Sequence, residues 1–195
     1  MRVVFLHGLE SSVDPVSLVP TGRKARFLAE AFDTVLVPLD TRRAVSVKDA
    51  LGLNAMVWPY DGYDQAFETP LAKAREAMLT VPDVVVASSF GGAVALRLMH
   101  ESPELSRPTV LLAGAGPKLT PYRTLPAGVP ALLVHGRNDT VVPLADSEML
   151  AATSDRADLL VLDDDHRLAS VVCEAKLGAW VRSLAAPRAV EEVRE

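Results

Sequence analysis

Cysteine is almost absent: Cys173 stands alone among 195 residues. No disulfide framework can form within the chain, and a reducing, cytoplasmic setting is the expected one. Basic charge is also short, with 20 Lys and Arg against 25 Asp and Glu and a net charge of −5. No Lys/Arg cluster offsets it, so a nucleic-acid partner is not expected. No apolar run approaches the roughly 20 residues that span a bilayer. The apolar part of Met1–His7 is too short for a signal peptide, so no membrane association is expected. Internal repeats and low-complexity tracts are lacking as well. What remains is 49% hydrophobic and 23% charged, the balance of one globular domain. We place that domain at residues 1–185, followed by a charged tail at 186–195.

Apolar, β-branched runs punctuate the chain at 2–6, 33–39, 84–86, 109–113, 130–135 and 158–162. Between them lie stretches with helical character. Thr21 is positioned to cap a helix reaching Phe32, with Arg23, Lys24 and Arg26 on its exposed side. Thr69-Pro70 reads as the start of a helix running to Leu79. Further helices are expected over 93–99, 144–152 and 168–184, with Cys173 a buried small hydrophobe in the last. Residues 41–68 are hard to read, and Trp58 to Tyr63 look like a loop. Strands that alternate with helices and are apolar throughout imply α/β architecture: a mostly parallel sheet of about six strands, covered on both faces. Ligands of such sheets gather at the carboxyl ends of the strands.

One of those ends carries Ala87-Ser88-Ser89-Phe90-Gly91. Strand, sharp turn and helix, with a hydroxyl at the apex, form the context of a nucleophile elbow, here with Ala in place of the first glycine. Ser89 would sit in a strained conformation above the positive end of the following helix. Ser88 is its neighbour in competition, and either serine could instead be a plain helix cap. After the fifth strand comes Asp139, and after the sixth comes His166. A serine hydroxyl needs an imidazole to take its proton, and the imidazole needs a carboxylate to fix its tautomer. Asp139 could also be an ordinary turn residue. Asp163, Asp164 and Asp165 precede His166, and any of them could orient it in place of Asp139. His100 is expected at the surface and His135 in packing. Gly114 to Pro117 lacks the lysine spacing of a phosphate loop.

Ser89, Asp139 and His166 in that order, with His7-Gly8 after the first strand, resemble an α/β-hydrolase over residues 2 to 185. Within that superfamily the chain is most similar to short bacterial esterase-type members without a cap domain. The resemblance implies a Ser-His-Asp triad, an acyl-enzyme intermediate, and no cofactor or metal. It also implies an oxyanion hole from the backbone N–H groups of Leu9 and Phe90, with His7 bracing that loop. Only a loop fits between the fourth and fifth strands, so little or no lid is expected and the site should be open. Trp58, Tyr60 and Tyr63 are either a pocket wall or packing aromatics. A small-molecule acyl ester or thioester is the expected substrate. An amide hydrolase on the same residues, or a hydrolase-like binding protein without turnover, are the alternatives. The oligomeric state is not legible.

Overall fold

The computed structural model describes residues 1–9, 11–173 and 175–186. Six strands form one sheet: β1 (Arg2–Leu6), β2 (Asp33–Leu36), β3 (Val84–Ser88), β4 (Thr109–Leu112), β5 (Ala131–Gly136) and β6 (Ala157–Leu162). Their order is β2-β1-β3-β4-β5-β6, and every neighbouring pair is parallel. The chain steps outward from β1 to β2, returns past β1 to β3, and continues to β6. This reversal opens a crevice beyond the carboxyl ends of β1 and β3, the place where such sheets hold ligands.

Successive side chains along a strand point to opposite faces, and here both faces are apolar. Val4, Leu6, Val85, Ala87, Leu111 and Leu133 pack on one side. They meet helices α2 (Arg42–Leu51), α3 (Tyr63–Met78), α4 (Phe90–Glu101), α5 (Gly116–Leu119) and α6 (Leu144–Ala152). Val3, Phe5, Val84, Val86, Val110 and Val134 pack on the other, against α1 (Arg23–Ala31), α7 (Ser170–Cys173) and α8 (Lys176–Ala185). Each such buried Val, Leu or Phe side chain contributes about 1.5–3 kcal/mol. That outweighs local capping: α1 has no side-chain cap on its first turn, yet it docks through Ala25 and Leu28.

Local signals and tertiary packing disagree at four places. Thr21 caps nothing, and Gly22 takes the N-cap position of α1. Helix α3 begins at Tyr63, so Pro70 lies inside it rather than at its start. A proline there forfeits a hydrogen bond and crowds the preceding turn, but buried Ala66, Phe67, Leu71 and Ala74 hold the helix across it. The last helix is broken, with Ala175 in the left-handed region (φ 53°) between α7 and α8. Cys173, at the end of α7, is exposed rather than buried. Residues 113–130 contain only the short α5 and loops, packed against α4 with Gly116 beside Leu96, so there is no lid. No helix among the described residues is long and apolar enough to cross a membrane. Most of the charged tail expected at 186–195 lies outside the described residues.

Helix α4 starts at Phe90, three residues before the expected Ala93. Its first turn therefore contains Gly91 and Gly92, and both are there for lack of room. A Cβ on Gly91 would lie 2.2 Å from the Leu6 carbonyl oxygen and 2.8 Å from that of His7. A Cβ on Gly92 would lie 2.6 Å from the Gly114 Cα. Backbone cannot move aside as a side chain can, so Gly91→Ala should cost about 3 kcal/mol or more. Thermal unfolding should then shift down by roughly 6–12 °C. Gly22, where an added Cβ would meet nothing within 4 Å, is the control; its replacement by Ala should cost about 1 kcal/mol at most.

Candidate active site

Ser89 sits at the apex between β3 and α4 with φ 52° and ψ −117°, a conformation that costs a non-glycine residue about 1–3 kcal/mol. Three backbone hydrogen bonds hold it there. Its N–H donates to the Leu112 carbonyl (3.0 Å), and its carbonyl accepts from Gly92 (2.8 Å) and Ala115 (3.0 Å). The side chain is thereby aimed out of the sheet, where its Oγ lies 2.9 Å from Nε2 of His166. Ser88 points elsewhere: it is buried, and its Oγ lies 3.4 Å from Lys24 Nζ.

Asp139 and His166 stand on the loops after β5 and β6, and Gly136 lets those loops meet. A Cβ there would fall 2.5 Å from the carbonyl oxygens of both Asp164 and Asp165. The amides of Arg137 and Asn138 bond across to Leu162 (2.8 Å) and Asp164 (3.0 Å). The Asp139 side chain is completely buried, and its Oδ2 accepts from His166 Nδ1 at 2.7 Å. Oδ1 accepts from the amides of Val141 (2.8 Å) and Val142 (2.9 Å). Burial alone raises a carboxyl's pKa. Here hydrogen bonds from His135, His166 and the Val142 and Val141 amides outweigh that burial and hold Asp139 far below the usual carboxylate range. The neighbouring aspartates are engaged elsewhere. Asp163 accepts from Asn138, Asp164 from Ser170 and the Asp165 amide, and Asp165 from the Arg167 amide.

The other histidines find hydrogen-bond partners other than Ser89. His135 is fully buried behind Asp139, its Nε2 between two acceptors: the Val142 carbonyl at 3.0 Å and Asp139 Oδ2 at 3.2 Å. Nε2 therefore carries a hydrogen, and Nδ1 meets the Ser147 hydroxyl at 2.7 Å. Beyond the packing role expected of it, His135 steadies the buried carboxylate. His100 stacks on Tyr122 with ring centres 4.2 Å apart and bonds the Thr124 carbonyl. His7 is buried, donates from Nδ1 to the Gly8 carbonyl at 2.8 Å, and is pushed toward its neutral form by burial.

The loop after β1 lies directly against the serine, since a Cβ on Gly8 would be 3.2 Å from Ser89 Cβ. Leu9 follows on that loop. Phe90 opens α4, so its N–H is among those a helix cannot bond internally, at the positive end of the helix dipole. Gly8, Leu9, Ser89 and His166 border one open cavity of about 310 Å³.

Of the candidates for contact with substrate, His7, Trp58 and Tyr60, none lines this cavity. Trp58 and Tyr60 instead pack edge-on against Tyr63, at 4.4 and 5.6 Å between ring centres. Tyr63 continues through Phe67 to Phe90, so the aromatics brace the elbow from within. The excursion after β2 does reach the cavity, but through Lys48 and Leu53. Lys24 also lines it, rather than standing on the exposed side of α1 as its charge suggests. The sequence holds a signal for this: Lys24 lies one helical turn before buried Leu28, on the same face. Its Nζ donates to the Arg167 carbonyl at 2.7 Å, and burial lowers its pKa to about 8 against the pull of Asp164 and Asp165. Among the described residues, no group of three or more His, Cys, Asp or Glu side chains is placed to hold a metal ion.

The geometry has counterparts among known proteins. The sequence profile of the serine hydrolase (FSH1) family matches residues 59–170, the span that carries Ser89, Asp139 and His166. A protein of the alpha/beta hydrolase superfamily from Xanthomonas campestris pv. campestris superposes with a TM-score of 0.61. It is 26% identical, over 94% of this chain and 95% of its own. An esterase from Exiguobacterium antarcticum shares the fold at 15% identity and TM-score 0.61, over 95% of this chain and 91% of that one. An esterase from Rhodococcus sp. does so at 14% identity and TM-score 0.61, over 95% and 90%. No curated protein sequence matches the chain. A six-stranded parallel sheet without a lid, joined to a family profile that covers more than half of the residues, makes this chain a hydrolase of the α/β-hydrolase superfamily and a member of the serine hydrolase (FSH1) family.

Proposed function

We propose that the protein is a serine esterase or thioesterase that cleaves small acyl substrates through an acyl-enzyme intermediate. One observation carries this reading: an unbroken line of hydrogen bonds from Asp139 through His166 to Ser89, at 2.7 and 2.9 Å. Asp139 fixes the hydrogen of His166 on Nδ1 and leaves Nε2 to accept the Ser89 proton. The Ser89 Oγ then attacks the substrate carbonyl carbon, and the carbonyl electrons move onto its oxygen. The N–H groups of Leu9 and Phe90 hold that oxyanion, each such donor being worth roughly 10²–10³ in turnover. Collapse of the tetrahedral species expels the alcohol or thiol, which takes its proton from the His166 imidazolium. Water then repeats the sequence: His166 takes its proton, the acid leaves, and Ser89 regains its hydrogen.

The cavity lies at the small end of the range for ligand pockets, and no lid encloses it. Short acyl groups suit it better than long ones. Cys173, exposed and unpaired, supports a reducing compartment such as the cytoplasm. A series of p-nitrophenyl esters tests the substrate class. Acetate and butyrate should be hydrolysed with a higher kcat/KM than dodecanoate; the opposite order, or no turnover of any ester, would remove the small-acyl esterase reading.

A further inference from the structure

The chain carries more acidic than basic residues, 25 to 20, yet the described lining of the cavity beside Ser89 reverses that balance. Lys24, Lys48 and Arg167 line it, and no described lining residue is a carboxylate. Lys48 lies 3.5 Å from Asp49 and has other interactions, so the inference rests on the other two. A second cavity of about 500 Å³ adjoins the first and shares Ser11, Lys24, Ser88 and Arg167 with it. Arg23 borders that second space. Lys24 and Arg167 thus stand on the boundary between the serine and a further basic recess.

Lys24 is a half-buried cation in this wall. Taking an ammonium out of water is unfavourable unless a counter-charge meets it. Two neutral acceptors, the Arg167 carbonyl and the Ser88 hydroxyl, face its three N–H donors. Among the described residues neither Lys24 nor Arg167 takes part in an ion pair. Asp164 and Asp165 favour the charged form without a salt bridge to it, while their oxygens bind Ser170 and backbone amides. An anion arriving from outside would supply the missing partner.

We propose that the natural substrate carries an anionic group, a carboxylate or a phosphate, which Lys24 and Arg167 bind while the scissile carbonyl lies at Ser89. This rests on the serine hydrolase reading, and it adds a specificity site to it. A lysine that served only to pin the Arg167 carbonyl, and with it the His166 loop, would affect all substrates alike.

The test uses matched twins of similar size, one anionic and the other neutral. One pair is mono-p-nitrophenyl glutarate and p-nitrophenyl pentanoate. The other is 4-acetoxyphenyl phosphate and its neutral dimethyl ester. The anionic member of at least one pair should show a kcat/KM roughly tenfold higher or more, the scale of one charge-assisted hydrogen bond. Lys24→Met and Arg167→Gln should each lower that ratio toward one. Calorimetry with the Ser89→Ala protein reads the same preference without turnover, and there too the anionic twin should bind roughly tenfold tighter. If esters are cleaved but neither pair shows a preference, the inference is wrong and the esterase reading stands. If no ester is cleaved but the Ser89→Ala protein prefers the anion, the anion-binding site stands and the esterase reading falls. Equal losses on both twins in the variants would also overturn the inference.

Discussion

Replacing Ser89 by alanine is expected to lower kcat toward small esters by about 10⁴–10⁶. The loss is so large because the covalent route disappears as a whole. On the proposed mechanism His166 would have no hydroxyl to deprotonate, and only the backbone donors proposed at Leu9 and Phe90 would remain to favour the tetrahedral species. Ser88→Ala is the contrast that gives the number meaning. Ser88 is adjacent in sequence, but its Oγ faces Lys24 at 3.4 Å while that of Ser89 faces His166 at 2.9 Å. Removing it deletes one side-chain hydrogen bond and should lower turnover by about tenfold at most. Steady-state kinetics on p-nitrophenyl acetate, with circular dichroism to confirm folding, measures both.

The second large effect is expected at Asp139, where asparagine should lower kcat by about 10⁴. The reason lies in the count of acceptors. Oδ1 receives two backbone amides, and Oδ2 receives His166 Nδ1 with His135 Nε2 nearby at 3.2 Å. An amide has one acceptor oxygen and one donor nitrogen. In either orientation its NH₂ faces donors, so it must break with the Val141–Val142 turn or with both histidines. Facing His166, it would also favour the tautomer that puts hydrogen on Nε2, where it blocks the serine. Asp163→Asn changes only an exposed bond to Asn138 and should stay near wild type. The pH dependence follows with its sign. Asp139 has its pKa depressed in the folded protein, so its stabilising bonds are fully present above the ordinary carboxylate pKa and are lost only as pH falls through the lower folded value. The Asp139→Asn variant should therefore unfold at a lower temperature than wild type throughout neutral pH. The gap should close only in strong acid.

Much of this architecture is legible because buried parallel strands leave a plain signature. The runs RVVFL, VVVAS and ALLVHG are apolar at consecutive positions, since both faces of the sheet are covered. Strand ends then locate Ser89, Asp139 and His166, and the fold sets His166 within hydrogen-bonding distance of both the others. What is not legible depends on contacts between segments distant in sequence. Thr69-Pro70 has the local chemistry of a helix start, but packing around Phe67 pulls the boundary back to Tyr63. Trp58 and Tyr60 follow the second strand and could face the cavity; instead they pack edge-on against Tyr63, an arrangement no local pattern encodes. The choice among Asp139 and Asp163 to Asp165 cannot be made from spacing. It is made by Gly136, whose missing side chain lets the two loops close until Asp139 lies under His166. Lys24 has a helical-face signal that its charge outweighs in a reading of sequence alone.

Central to the chemistry is whether Ser89 is a nucleophile activated by His166. Intact-protein and peptide mass spectrometry after treatment with a fluorophosphonate reads this directly. One phosphonyl adduct per chain, located on Ser89 and absent in His166→Ala, is the predicted result. A folded protein that remains unmodified, or an adduct on Ser88 that survives the loss of His166, would contradict it.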